Sequence, residues 1–249
     1  MKKVAYYTDW FKDFLEHYNS ADKIYPESYI NEIKVSNATI EFHEVDLGKK
    51  WLFSDMNIAF HRNFTNLELS AGGVVDLSDR MATLDASIHF NPLKEKMKLK
   101  VNFEDVVTSD FINDIGAGIS HINVPLSGTV EADINFAEMM KNADRLAEHI
   151  DRAVEKIDFN VKGSEGMVEF ENDPHFNYKI DSFSFDGQIL GGLDIIELKN
   201  TELSIGKQKA NLEFKASGYK KYFLEKSLED LKLNLRAKVG LLPMNDLAR

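Results

Sequence analysis

Cysteine is absent from all 249 residues, which removes disulfide frameworks, thiolate metal sites and cysteine nucleophiles together. No stretch approaches the roughly 20 consecutive apolar residues that a bilayer crossing requires. An export signal is missing as well: Met1-Lys2-Lys3 could open one, but Tyr6, Thr8, Asp9, Lys12 and Asp13 break the apolar run that should follow. The expectation is therefore either a cytosolic protein or a piece of a longer, anchored one. Positive charge is also in deficit. With 30 Lys and Arg against 41 Asp and Glu, a formal net charge of −11 and a pI near 5.1, the chain lacks the basic footprint that attracts phosphates, so no nucleic-acid partner is expected.

What is present is ample core material, 43% hydrophobic and 11% aromatic residues, which excludes wholesale disorder. From about Tyr29 the hydrophobic period is two. Thr83-Leu84-Asp85-Ala86-Ser87-Ile88-His89-Phe90 alternates without fault, as do Met97 to Phe103, Val130 to Phe136, Ala210 to Ala216 and Leu231 to Val239. Each reads as a strand with one dry and one wet face. Such alternation fits antiparallel sheet, because parallel strands covered on both faces would be continuously apolar. Turn residues at Asp46-Leu47-Gly48, Asn91-Pro92, Lys162-Gly163-Ser164, Asp186-Gly187, Gly191-Gly192 and Gly206-Lys207 punctuate a long meander.

Three segments have helical spacing instead. Val4, Tyr7, Phe11, Phe14, Leu15 and Tyr18 mark an N-terminal amphipathic helix. Thr108-Ser109-Asp110 offers cap chemistry for a short connector helix that Gly116 would stop. Phe136, Met140, Ala143, Ala147, Ile150, Val154 and Ile157 form one apolar stripe, predicting a long amphipathic helix over 137–157.

Few residues are arranged for chemistry. His17, His43, His61, His89, His121, His149 and His175 are scattered, with no local ligand pair. Gly116-Ala117-Gly118 lacks the third glycine of a dinucleotide fingerprint. Ser204 to Lys207 and Ser217 to Lys220 satisfy S-x-x-K by letters without its companion motifs. Asp181 and Asp186 could be imagined as an acid–base pair or a calcium site, but lack the oxygen-ligand spacing of such a loop. No catalytic residue, metal site or cofactor is expected. The feature left over is one-faced sheet, whose commonest use is an ordinary sandwich or helix-covered core.

The order of several motifs points further. Ile33 to Phe42, with its central Asn37-Ala38 followed by Gly48 and Trp51, resembles the opening strand pair of AsmA-like repeats of the YhdP and TamB type. Ile122-Asn123-Val124-Pro125-Leu126-Ser127-Gly128 is similar to the P-L-S-G signature of that family, and Phe183 to Gly187, Leu190-Gly191-Gly192 and Val239 to Leu247 match it in character and order. The resemblance implies a mainly β fold, a long twisted antiparallel meander forming a groove, in a periplasmic segment of an inner-membrane-anchored envelope protein. Residues 1–28 would be an N-terminal helix and linker, 29–136 a first sheet unit, 137–157 the amphipathic helix and 158–249 a second sheet unit, all within one segment spanning 1–249. The implied function is non-catalytic: transfer of phospholipid between inner and outer membrane, acyl chains lying in an apolar trough. Its expected lining is Ile88, Phe90, Leu99, Val101, Ile134, Leu212, Phe214, Leu233 and Leu235. Membrane contact would run through parts of the protein absent from this chain, and exposed edge strands could self-associate. The alternative is a structural or protein-interaction β module with a closed core.

Overall fold

The computed structural model describes residues 30–44, 49–63, 65–76, 80–107, 119–141, 146–170, 178–206, 208–218 and 230–240. In chain order these form β1 (Glu32–Glu44), β2 (Lys49–Arg62), β3 (Leu67–Asp76), β4 (Met81–Asn91), β5 (Lys96–Val107), β6 (Ile119–Asn123) and β7 (Pro125–Asn135). Two helices follow, α1 (Phe136–Lys141) and α2 (Leu146–Ala153). The chain then continues through β8 (Val154–Gly163), β9 (Gly166–Phe170), β10 (Tyr178–Ile180), β11 (Ser182–Leu190), β12 (Ile195–Ile205), β13 (Gln208–Ser217) and β14 (Lys232–Val239). Eleven strands make one sheet in the order β1-β2-β3-β4-β5-β7-β8-β11-β12-β13-β14, and β10-β9-β6 make a small second one. Every neighbouring pair in the large sheet is antiparallel. Thus the fold is mainly β, a single long meander, and the expected units at 29–136 and 158–249 both contribute strands to it, meeting at the β7–β8 pair.

Four of the departures from simple alternation in the sheet share one pattern. Val35-Ser36-Asn37-Ala38, Phe53-Ser54-Asp55-Met56, Phe103-Glu104-Asp105-Val106 and Leu198-Lys199-Asn200-Thr201 each hold two polar residues between inward-facing ones. The second polar residue has positive φ: Asn37 at 55°, Asp55 at 53°, Asp105 at 58° and Asn200 at 50°. At each, the strand advances three residues while its neighbour advances two. These are β-bulges, and Asn and Asp tolerate the left-handed conformation better than other side chains because their short polar groups bond locally.

Between β7 and β8 the structure differs from the helix expected over 137–157. Helix α1 ends at Lys141, α2 covers Leu146–Ala153, and the chain is already a strand at Val154. Val154 and Ile157 lie three apart on one face because β8 is bulged there: Asp133 pairs with Lys156 and Ile134 with Val154. A strand bulge therefore imitated one more turn of helix. Ile150, expected within a packed stripe, is 43% exposed. Asn135 caps α1, its Oδ1 accepting the Glu138 N–H at 3.2 Å. Nor is Asp186-Gly187 a turn; both residues sit inside β11. Gly187 has another cause, since a Cβ there would come within 2.3 Å of the Phe159 ring on the adjacent strand. The expected N-terminal and 108–116 helices lie outside the described residues.

Candidate functional site

Pairing register decides what each face of the large sheet carries. Followed from partner to partner across all eleven strands, one row reads Ile33, Phe60, Leu69, Ile88, Leu99, Ala132, Ile157, Ile189, Ile196, Ala216, Leu233. The next row on that face reads Val35, Ile58, Ala71, Ala86, Val101, Val130, Phe159, Gly187, Leu198, Phe214, Leu235. Neither contains a polar side chain. The row between them, on the opposite face, reads Lys34, Ala59, Ser70, Ser87, Lys100, Glu131, Asp158, Gln188, Glu197, Lys215, Asn234.

All nine residues singled out from the sequence fall on the apolar face. Ile88, Leu99 and Leu233 belong to the first row, and Val101, Phe214 and Leu235 to the second. Phe90 and Ile134 flank Met97 in a third row near one end of the strands. Leu212 lies between Thr201 and Ala237. Their surroundings differ. Ile88, Leu99, Val101, Ile134, Leu212 and Phe214 are half-buried, whereas Leu233 and Leu235 on the last strand are 63% and 64% exposed. Phe90 is not open at all: at 4% exposure it packs with Leu67 and with Phe136 of α1, the two phenyl rings 4.6 Å apart. Phe60, Met97, Met139 and Met140 join that cluster. One end of the apolar face is thus closed by α1. At the other strand end, Val75 and Ala82 are buried with Trp51, Phe53, Leu84 and Val106 against them.

The polar face is a lattice of ion pairs. Lys100 meets Glu131 at 2.8 Å, Lys98 meets Asp133 at 3.4 Å and Lys156 meets Asp158 at 2.7 Å. The Lys100 ammonium holds the Glu131 carboxyl below its ordinary range by hydrogen bonding. Glu197 is lowered likewise, first by its hydrogen bond from Lys215 and then by one from Gln188, whose Nε2 donates at 2.6 Å. His89 lies on this face beside Glu68, Nδ1 to Oε1 3.2 Å. Shallow depressions between Glu131, Asp158, Asp186 and Gln188, and between Asp55, Asn57, Ser70 and Asp85, also lie on the polar side. The polar groups that line them include carboxylates, amides and hydroxyls.

Register was the part that sequence reading lacked. Alternation identified the strands and their dry faces, but only the pairing register reveals that Ile33 and Leu233, on the first and last of eleven strands, share one ladder. Among the described residues no group of three or more His, Asp or Glu could hold a metal ion, and no helix is long and apolar enough to cross a membrane. Asp186 lies within β11 and Asp181 just before it, both half-buried, and among the described residues neither belongs to a group of three that could hold a metal ion. Comparison with protein-family models, with curated proteins and with solved structures finds no match, so no family, the AsmA-like family included, is identified by them.

Proposed function

We propose that this chain is a non-catalytic lipid-binding segment, in which the apolar sheet face holds phospholipid acyl chains and lets them pass from strand to strand. The observation that carries the reading is the unbroken apolar ladder across eleven strands. At about 4.8 Å per strand and 3.4 Å per residue, that face measures roughly 50 Å by 35 Å, on the order of 1,700 Å². Monomeric soluble proteins rarely leave more than a few hundred Å² of contiguous apolar surface without a use for it. The described helices have 6 and 8 residues; as rods about 10 Å wide rising 1.5 Å per residue they cover only about 200 Å². The rows run across the strands, so an acyl chain lying along one would meet no polar side chain from Ile33 to Leu233. Each buried CH₂ contributes about 0.8 kcal/mol, and a chain engaged over part of its length would be retained while still able to slide.

In this reading the sheet curves into a trough, and the resemblance to AsmA-like proteins supplies the setting: a periplasmic segment of an inner-membrane-anchored protein, carrying phospholipid between the two membranes. The competing reading, a structural or interaction module with a closed core, draws on the Phe90–Phe136–Leu67 cluster, where the apolar face is already covered. Site-specific photo-crosslinking separates the two. A diazirine side chain at Leu99 or Leu233 should capture phospholipid from cells or vesicles, while the same group at Lys100 or Lys232, on the opposite face, should not. A diazirine at Phe90 should label Phe136 or its neighbours in place of lipid. Equal labelling of both faces, or none at Leu99 and Leu233, would leave the closed-core module standing.

A further inference from the structure

Strand β14 is the last of the large sheet, paired with β13 on one side and with no described strand on the other. Every residue of Lys232–Val239 is exposed. Its polar face carries Lys232, Asn234, Arg236 and Lys238, a run of three cations on a chain whose net charge is −11. The one counter-charge is Glu213 of β13, 4.0 Å from Arg236, while Lys232 and Lys238 have no acidic partner among the described residues. An edge strand whose outward backbone groups have no described strand beside them, and whose lysines have no described acidic partner, is guarded against its own kind and open to the opposite charge.

The same sheet contains an example of what such a strand pairs with. In β5, Lys96, Lys98 and Lys100 alternate with Met97, Leu99 and Val101, as the cations of β14 alternate with Leu233, Leu235 and Val239. The antiparallel partner of β5 is β7, where Glu131 and Asp133 alternate with Val130, Ala132 and Ile134 and meet Lys100 and Lys98.

A second copy of this chain fits poorly. Two β14 strands joined antiparallel about an axis normal to the sheet, the arrangement that keeps both apolar faces on one side, would set Lys232 against Lys238 in the register centred on Leu235. Like charges opposite one another are destabilising. The other edge, β1, is the first of an odd number of alternating strands and so runs in the same direction as β14. A same-facing second copy would have to join β1 to β14 in parallel, unlike every pair in the sheet.

We propose that the free edge of β14 docks an extended segment of another polypeptide in which acidic residues alternate with apolar ones, added antiparallel so that both faces of the sheet continue. The mode is strand addition, with backbone pairing supplying affinity and alternate side chains supplying choice. This does not depend on lipid occupying the apolar face.

A fluorescent peptide with the sequence of residues 127–135, the part of β7 that carries Glu131 and Asp133, tests it with the full chain by fluorescence anisotropy. Saturable binding is expected, weakened at least tenfold by the triple variant Lys232→Glu, Arg236→Glu, Lys238→Glu. Because all three positions are exposed, the triple variant should keep the wild-type circular dichroism spectrum, and it should regain binding to a peptide with Lys in place of its Glu and Asp. The same peptide N-methylated at alternate amides should not bind. Failure of the peptide to bind, or binding indifferent to either charge reversal, would overturn the proposal. So would binding of the chain to phosphatidylglycerol vesicles through these three residues with no affinity for the peptide, or a dimer abolished by the triple variant.

Discussion

If the left-handed bulge residues hold the apolar ladder in phase, the clearest place to test them is Asp105. Its φ is 58°, its side chain is exposed, and its N–H donates to the Ser127 Oγ at 3.2 Å, a bond that survives any change of side chain except proline. Substitution therefore alters conformational preference with little packing or hydrogen bonding lost. A side chain with Cβ but no local acceptor costs about 1–2 kcal/mol in the left-handed region. Branching at Cβ places valine at or above the upper end of that range. Glycine carries no such penalty, although its greater freedom when unfolded returns about 0.5–1 kcal/mol. The expected order of stability is Gly close to Asp, then Ala lower by about 1 kcal/mol, then Val lower by about 2 kcal/mol. Urea denaturation with a common slope would measure it, a fall in midpoint at constant m reporting stability alone. Deleting Asp105 is a separate perturbation. It removes the extra residue, so that Phe103, Glu104 and Val106 alternate and Val106 keeps its place on the apolar face against Val75 and Ala82, while the N–H that Asp105 donates to Ser127 is lost. A valine substitution no worse than alanine, or a glycine substitution worse than both, would refute the assignment of these positions to strained bulges.

Gly128 lies opposite Phe103 and Val161, and a Cβ there would stand 2.1 Å from the Asn160 carbonyl oxygen; Gly128→Ala should lower the urea midpoint far more than Ser127→Ala, because backbone must move. Phe136→Ala should destabilise by about 3–5 kcal/mol, as expected for emptying an aromatic site in a packed cluster, and should convert a diazirine at Phe90 from an internal to a lipid label. For Glu197, the folded carboxyl is lowered by Lys215 and Gln188, so its contribution is present above the unfolded carboxylate pKa of about 4.3 and is lost as pH falls through the folded value. The midpoint difference between wild type and Glu197→Gln should be largest near neutral pH and vanish in acid.

How far the fold was legible follows from which residues enforce it. Leu84, Ala86, Ile88 and Phe90 alternate over an uninterrupted strand, and that pattern has no competing interpretation; the same holds for Met97 to Phe103 and for Leu233 to Val239. The reading failed where alternation was broken by one residue. Ile150, Val154 and Ile157 are spaced four and three apart, which suits a helix, but a bulged strand also spaces its inward residues by three. Only Ile157, Phe159 and Val161, two apart, reveal the strand. Asp186-Gly187 has the letters of a turn, yet the glycine is set by the Phe159 ring across the strand pair, a contact that local sequence cannot carry. The small β10-β9-β6 sheet went unread because its strands have 3 to 5 residues, too few for a period to declare itself. The apolar face was legible residue by residue, but its continuity was not, since continuity belongs to the register between strands.

That continuity is also what the bulges preserve. An extra residue in a strand would ordinarily send every later side chain to the wrong face. In β1, β2, β5 and β12 the extra residue is absorbed within one step, and beyond it Ala38, Met56, Val106 and Thr201 resume the face that Val35, Phe53, Phe103 and Leu198 left. The polar ladder resumes with it. Past the bulge Asn57 and Glu202 fall on the polar side, as Ser54 and Lys199 do before it. Register has shifted at these points while face identity has not. Thr201 is the one polar residue among the four that resume the apolar face, and it is 7% exposed. A sheet folded only for pairing would tolerate a switch of faces wherever both sides meet water. Here an apolar surface eleven strands wide keeps its face through these four insertions, which is the behaviour expected when the surface as a whole, more than any single contact, is what the sequence specifies.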